Sequence, residues 1–445
     1  MTTKTAEQDI TYTREAVEAL SAALNEPEWM RAFRLEAYER YASLPLPTTQ
    51  DEPWRRTDLR RLKLDKLGPS LNGTEEAKAA QVPEYLGQQL TDDEAGGVLL
   101  QVDGVPTKYE LSDELKEQGV IFTDMHTAVR DHGELVQKHF MTEAVKAEEG
   151  KFAAMHAAFW RGGTFLYVPK GVKAAAPLHS ALWAVQGKTY THTLVVVETG
   201  AEALFIDEYA SDTGDDPAMH NGVVELLVRD NASLLYAGLQ DFGTNTWQFS
   251  HERGRVGRDA RLDWVTSVMG TRVTKAFQTV ELDEPGGWAR MSGLFFANRR
   301  QHFDLDTQQN HNAADTVSDL LYKGALKDKS RSVWQGMIKA LPGSQRIDGF
   351  QANRNLVLER TARADSIPGL EIEADDVRCT HASTIGHLDE REIFYLMSRG
   401  IEKDTAVRMV VQGFFDPVMQ RIPVAGVRDR IAGRILDKMA TFTLS

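Results

Sequence analysis

The sequence predicts a mainly β protein, a parallel β solenoid carrying helical segments at both ends. From about residue 160 the chain is a series of short β-branched, aromatic and aliphatic runs (FLYVP, THTLVVVET, ALFIDEY, VVELLV, LLYAGL) separated by Gly, Asn or Asp. A turn residue, an alanine and a new strand recur at ETGAEAL, RDNASLL, GRDARLD and PGGWARM, placing Ala201, Ala232, Ala260 and Ala289 31, 28 and 29 residues apart. No long helix falls between these runs, which disfavours a βαβ crossover fold. Units of this length with two or more strands suit one coil of a β-helix, whose edges stay unpaired until the next coil stacks on them. A β-sandwich or jelly roll also accommodates short strands with regular turns, and the recurrence favours the solenoid.

The flanks read as helices. In 13–42, Val17, Leu20 and Leu24 share one helical face and Met30, Phe33, Ala37 and Tyr41 another, with Pro27 suited to a helix start. PLPTTQDEP (45–53) reads as an extended linker, 68–97 as loop-rich, and 98–145 as a strand, GVLLQVDGV, followed by helical patches. After His387, Gly400 is placed to stop one helix, and Asp404 and Pro417 to bracket a second. Val424, Val427, Ile431, Ile435 and Met439 line one face of a third. Such helices suit a cap over the solenoid end, a docking surface, or both.

Composition narrows the function. The formal charge is −14, against a general nucleic-acid or anionic-membrane binder. The basic stretch RRTDLRRLKLDK (55–66) reads as a solvated face. No apolar run approaches the roughly 20 residues that span a bilayer. The first residues lack the apolar core of a secretory signal, and one cysteine fits a reducing compartment, so the expected location is the cytoplasm.

Most motifs carry little chemistry. GKT (187–189) lacks the upstream glycine of a phosphate loop, because Leu182 stands there. In HFDLDTQQNH, His302, Asp304 and Asp306 would share a strand face, with His311 further on; Phe303 and Leu305 would face the core and the polar residues solvent. A β-helix lyase or hydrolase acting on carbohydrate, the alternative function, needs carboxylates clustered across coils, and the sequence does not place them. RCTHASTIGH (378–387) holds the only cysteine, Cys379, with His381 and His387. On a strand, Cys379 and His381 share a face about 7 Å apart. One thiolate with one or two imidazoles cannot enclose a four-ligand site, so further ligands would have to come from another chain.

LEIEADDVRCTHASTIGHLDEREIFYLMSRGI (370–401) resembles the C-terminal signature of the SufB/SufD family of iron–sulfur cluster assembly proteins. EPWRRTDL (52–59) resembles the family's N-terminal segment, with Arg56 where tyrosine is common, and HFDLDTQQNHNAADTVSDLLYKGAL (302–326) its His/Asp-rich strands. The likeness covers most of the chain, strongest over 290–415 and weakest over 68–150. Its pattern resembles the SufD branch: the extra cysteines of the SufB branch are missing, and that branch's His-Glu pair is His381–Ala382.

The resemblance implies a right-handed parallel β-helix (158–387) with an N-terminal helical region and linker (1–97), a connecting region (98–157) and a C-terminal helical domain (388–445). It implies a non-catalytic scaffold that pairs with SufB, and in isolation allows a homodimer. The ATPase SufC would dock on Ile393, Phe394, Leu396, Met397, Val410, Phe414 and Phe415. His381, with Cys379 beside it, would serve cluster assembly at the SufB interface and hold metal jointly with the partner chain. The iron–sulfur cluster would be transient there, with no permanent cofactor, nucleic acid or membrane involved.

Overall fold

The computed structural model describes residues 12–68, 80, 82–87, 95–422 and 424–440. Most of the stretch read as loop-rich lies outside these residues, as does the extreme N-terminus.

From Gly163 to His387 the chain winds into a β solenoid of eight turns, each contributing one strand to each of two ten-stranded sheets. Successive strands of a sheet pair in parallel, as Arg261–Val268 does on Ser233–Asp241 and then Trp288–Ala297 on Arg261–Val268. The alanine column explains part of this winding. Ala201, Ala232 and Ala260 are buried just before strands that align Glu202, Ser233 and Arg261. Gly200, Asn231 and Asp259 precede them with positive φ, a conformation that glycine, asparagine and aspartate tolerate best. The fourth member of the expected column is displaced by two residues. Trp288 aligns with Arg261 and Ala289 with Leu262, so Gly287 continues the column.

Side chains alternate between two environments. One set fills the solenoid: Leu234, Tyr236, Leu262, Trp264, Ala289, Met291, Leu320 and Tyr322 from one sheet meet Leu226, Val280, Phe303 and Leu305 from the other. Where a large ring stacks on a glycine of the neighbouring coil, the glycine makes the room. A Cβ on Gly293 would lie 2.3 Å from the Tyr322 ring, and one on Gly324 2.1 Å from the Phe295 ring.

The start of the solenoid is closed. A hairpin, Gly97–Val102 with Val105–Leu111, extends one sheet, and Ile121–Asp124 pairs antiparallel with Gly163–Val168 on the other. Helices Arg14–Ala23, Glu28–Ser43 and Lys151–Phe159 then pack on the outer face of the second sheet, in a core shared with Leu194, Val196, Met219, Val223 and Phe249. The supposed linker docks here too. Glu52–Trp54 forms a short 3-10 turn, and the Trp54 ring lies 5.1 to 5.9 Å from Phe152, Phe249 and Phe277.

The C-terminal helices, Glu390–Ser398, Lys403–Met419 and Ala425–Ala440, do not cap the open end. They run back along the outer face of the first sheet, where Val407, Val411, Phe415, Val427, Ile431 and Ile435 pack on Ile206, Leu239, Val265, Leu294 and Phe296. Polar ties fix them: Lys323 Nζ donates to the Phe414 carbonyl at 2.6 Å, Arg421 to Ser292 at 3.0 Å, and Lys438 Nζ to Gln301 at 2.8 Å. Gly400 ends the first helix as expected, in a Schellman pair (Gly400 N–H to Met397 C=O, Ile401 N–H to Leu396 C=O). Pro417 lies inside the second helix instead of beyond it, two residues from its end, and Glu402, not Asp404, precedes the first turn.

Packing also buries imidazoles. Burial lowers His126, His192, His220 and His251 to about 3, and His302 and His311 to about 4. It raises Asp207 and Asp306 to about 6 and Glu225 to about 8. Between pH 6.5 and 4 the unfolded chain takes up imidazole protons that the folded chain refuses, so stability falls with pH; the three carboxyls act in the opposite direction and offset only part of it. The melting temperature should therefore drop steadily over that range. Separately, Gly293→Ala should cost about 1–3 kcal/mol in urea unfolding. Gly386→Ala, whose Cβ would meet nothing within 4 Å, should change little.

Candidate partner-facing site at the open end of the solenoid

The final coil consists of Arg363–Ile372 and Val377–His387, and each pairs on one side only, with Arg331–Ala340 and Ile347–Val357 respectively. Two long edges of backbone donors and acceptors are left without a sheet partner among the described residues. Long exposed edges are a template for pairing with another chain.

Register fixes where the signature residues sit. His381 aligns with Gln351, which aligns with Leu320 in the solenoid interior, so His381 occupies an interior-type position with no coil above it. It is exposed, and its ring has no hydrogen-bond partner among the described residues. Cys379 aligns with Gly349 and is half-buried. A Cβ on Gly349 would lie 3.3 Å from His311 Nε2 and 3.5 Å from Cys379 Sγ, so the missing side chain leaves room for the thiol on one side and the imidazole on the other. His311 itself is engaged: Nδ1 meets Thr316 Oγ1 at 2.7 Å and Nε2 meets Ser318 Oγ at 2.8 Å. Burial pushes the Cys379 thiol up, which keeps it protonated and poorly nucleophilic in the chain alone. His387 lies about 20 Å along the strand from His381 and donates from Nδ1 to the Val357 carbonyl at 3.1 Å.

The surroundings mix apolar and polar groups. Leu370, Ile372 and Ile385, which would be core residues if the solenoid continued, are 39, 38 and 48% exposed. In this coil and the one beneath it, the buried atoms Trp334 Nε1, Gln351 Oε1, Asn355 Oδ1 and Ser366 Oγ have no hydrogen-bond partner among the described residues. Among the described residues, no three His, Cys, Asp or Glu side chains gather as a metal site. The mouth therefore offers one imidazole and one thiol, a partial ligand set.

The His/Asp-rich strand divides its polar residues between the two faces. His311 points toward the mouth layer, whereas His302, Asp304 and Asp306 lie on the opposite face, Asp304 fully buried and the other two half-buried. Phe303 and Leu305 do enter the core. Lys275 Nζ binds Asp304 Oδ1 at 3.0 Å and Asp306 Oδ2 at 2.7 Å, while Thr57 donates to Asp304 Oδ2 at 2.5 Å and contacts His302 Nε2 at 3.0 Å. Arg56 donates to Gln335, which donates to Asp306. Two stretches some 250 residues apart in sequence are thus one clamp, holding the N-terminal segment to the solenoid. Asp304 and Lys275 are fully buried.

The residues expected to dock an ATPase divide as well. Phe394 and Met397 are exposed, Phe394 at 71%; Leu396, Val410 and Phe414 are half-buried; Ile393 and Phe415 are buried against the sheet and present no surface. Tyr395 and Met409, which helical spacing alone does not single out, are exposed beside them.

This is a β-solenoid protein whose last coil is unfinished, with an exposed imidazole at its rim and an apolar helix face alongside. The chain belongs to the SufBD family of the SUF iron–sulfur cluster assembly system. The core-domain model of that family (SUF system FeS cluster assembly, SufBD core domain) matches residues 182–414, and its SufBD protein N-terminal region matches 4–179. The chain is 32% identical to the iron-sulfur cluster assembly protein SufD of Bacillus subtilis (strain 168), covering 96% of this chain and 98% of that protein. It is 28% identical to the iron-sulfur cluster assembly SufBD family protein SAR0880 of Staphylococcus aureus (strain MRSA252), over 93% and 90% of the two chains.

Lys275→Met would strand Asp304 as an unpaired buried charge and should destabilise the fold by about 3–5 kcal/mol. Combining it with Asp304→Asn should recover much of that loss in the same denaturation measurement, as expected of a structural clamp.

Proposed function

We infer that this chain is the scaffold half of a SUF assembly complex, pairing end to end with a SufB-type chain and carrying a SufC-type ATPase on its C-terminal helices. The observation that carries this reading is the open last coil. A partner with a solenoid end of its own would pair both edge strands and bury Leu370, Ile372 and Ile385. Iron and sulfide are cargo in this scheme. His381 offers a free nitrogen at the seam, able to bind iron or take a proton, while thiolate ligands come from the partner chain. Cys379, half-buried with its thiol pushed up by burial, is secondary.

ATP chemistry would belong to the docked partner, and this chain would be non-catalytic. The exposed Phe394, Tyr395, Met397 and Met409 supply an apolar docking face. Helix Glu390–Ser398 starts three residues after the strand that holds His381 ends, so displacement of that helix would pull directly on the seam. Assembly with soluble partners suits the cytoplasm, and no helix among the described residues is long and apolar enough to cross a membrane.

Co-expression with SufB- and SufC-type partners tests the reading. Tagged wild-type chain should capture both, and failure to capture either defeats it. Leu370→Glu combined with Ile385→Lys should abolish capture of the SufB-type chain while leaving the monomer's melting temperature within a few degrees. His381→Ala should assemble normally but build at least about tenfold less cluster, the effect of losing about 1.4 kcal/mol at the site. Full cluster formation by that variant would return His381 to a merely structural role.

A further inference from the structure

A second site lies on the opposite flank, where the N-terminal segment crosses the turns of the solenoid. There a cleft of about 1000 Å³ opens on Trp247, His302 and an array of cations. Its composition is unusual for a chain with a net charge of −14. Arg61, Arg272, Arg299, Arg300 and Lys329 all line it, and none of them makes a side-chain ion pair or hydrogen bond among the described residues. Its one lining carboxylate, Asp58, is already taken by Arg60 at 2.6 Å, and Arg331 is turned away to Asp365 at 2.7 Å.

The fold forces these charges together. Val273, His302 and Arg331 are in register across three strands, so Arg300 and Lys329, two residues before the last two of these, hold the same turn position in consecutive coils. Arg272 stands one place further along in the coil before. The turns are bonded to one another: Lys329 N–H donates to the Arg299 carbonyl at 2.9 Å, and His302 N–H to the Arg272 carbonyl at 2.9 Å. Coils stack about 4.8 Å apart, so like charges repel along this column, and the nearby carboxylate of Asp328 is engaged by the Arg299 N–H at 2.6 Å. The clamp through Thr57 and Arg56 then brings Arg61 across the cleft, giving it a second cationic wall.

We propose that this cleft binds a small anion with two or more linked phosphates, whose oxygens the guanidinium groups of Arg272 and Arg300 fork and Lys329 neutralises. Arginine matches phosphate geometry with two parallel hydrogen bonds, and a compact polyanion can reach several of these cations at once. An acidic protein segment is the other anion that such a cleft could attract. It is disfavoured because a macromolecule extending beyond the cleft meets the negative remainder of the surface, whereas a small ligand sits within one Debye length of the cations.

Calorimetric titration of the full chain with inorganic pyrophosphate, orthophosphate, ADP and a glutamate-rich peptide tests this. Pyrophosphate should bind at least about tenfold tighter than orthophosphate, weaken with added salt, and raise the melting temperature. Arg300→Ala and Lys329→Ala, both at exposed positions, should each weaken pyrophosphate about tenfold. An ADP affinity at or above that of pyrophosphate would support a nucleotide as the source of the phosphates, and a weaker one an inorganic polyphosphate. Equal, millimolar binding of all anions that the two variants leave unchanged would overturn the proposal. So would binding of the peptide without binding of pyrophosphate.

Discussion

Parallel stacking of coils is the constraint on which this molecule depends. Apart from bonds within its turns, the backbone of a coil has no partners of its own, and each strand is satisfied by the strands above and below it in the same sheet. The requirement fixes the register over eight turns. It forces like residues into columns and leaves a problem at each end. At the start, a hairpin and a short antiparallel strand complete both sheets. At the finish nothing among the described residues does, and both strands of the last coil keep an unpaired edge.

The column rule also explains why the chemistry sits where it does. His381 falls at an interior-type position, yet is exposed because there is no ninth coil. The same rule stacks Arg300 on Lys329 at a corner and brings Cys379 over Gly349 and Ser318. In each case the side chain's environment follows from which coil it belongs to, and its sequence neighbours say little about it.

The helical flanks play different parts on the two sheets. The N-terminal helices bury the outer face of one sheet with a shared aromatic core, and a buried charge network of the solenoid pins the segment 54–57 beside them. The C-terminal helices cover the outer face of the other, tied to it by polar contacts from several coils. This leaves one end free for pairing and one helix face free for docking, so the two partner surfaces of the proposed function do not compete for space.

The sequence by itself determined the solenoid, the amphipathic faces of the flanking helices, and the signature that places the chain in its family. Those are local properties: strand alternation, a turn residue before a small one, and a helical period are all written within one coil or one helix. It misplaced what depends on alignment between coils. Ala289 looked like the next alanine of the column, but the double glycine before it shifts the register and puts Gly287 there. It also put Asp304 in solvent and Ile393 and Phe415 on a docking surface, because burial on an outer sheet face depends on which distant segment lies over it. Tertiary structure alone decided that the end stays open, that the basic 55–66 stretch faces a column of cations, and that His381 stands exposed at the rim of the last coil. The second of these joins residues more than two hundred positions apart, and the other two depend on no further coil following the last, neither of which a period in the sequence records.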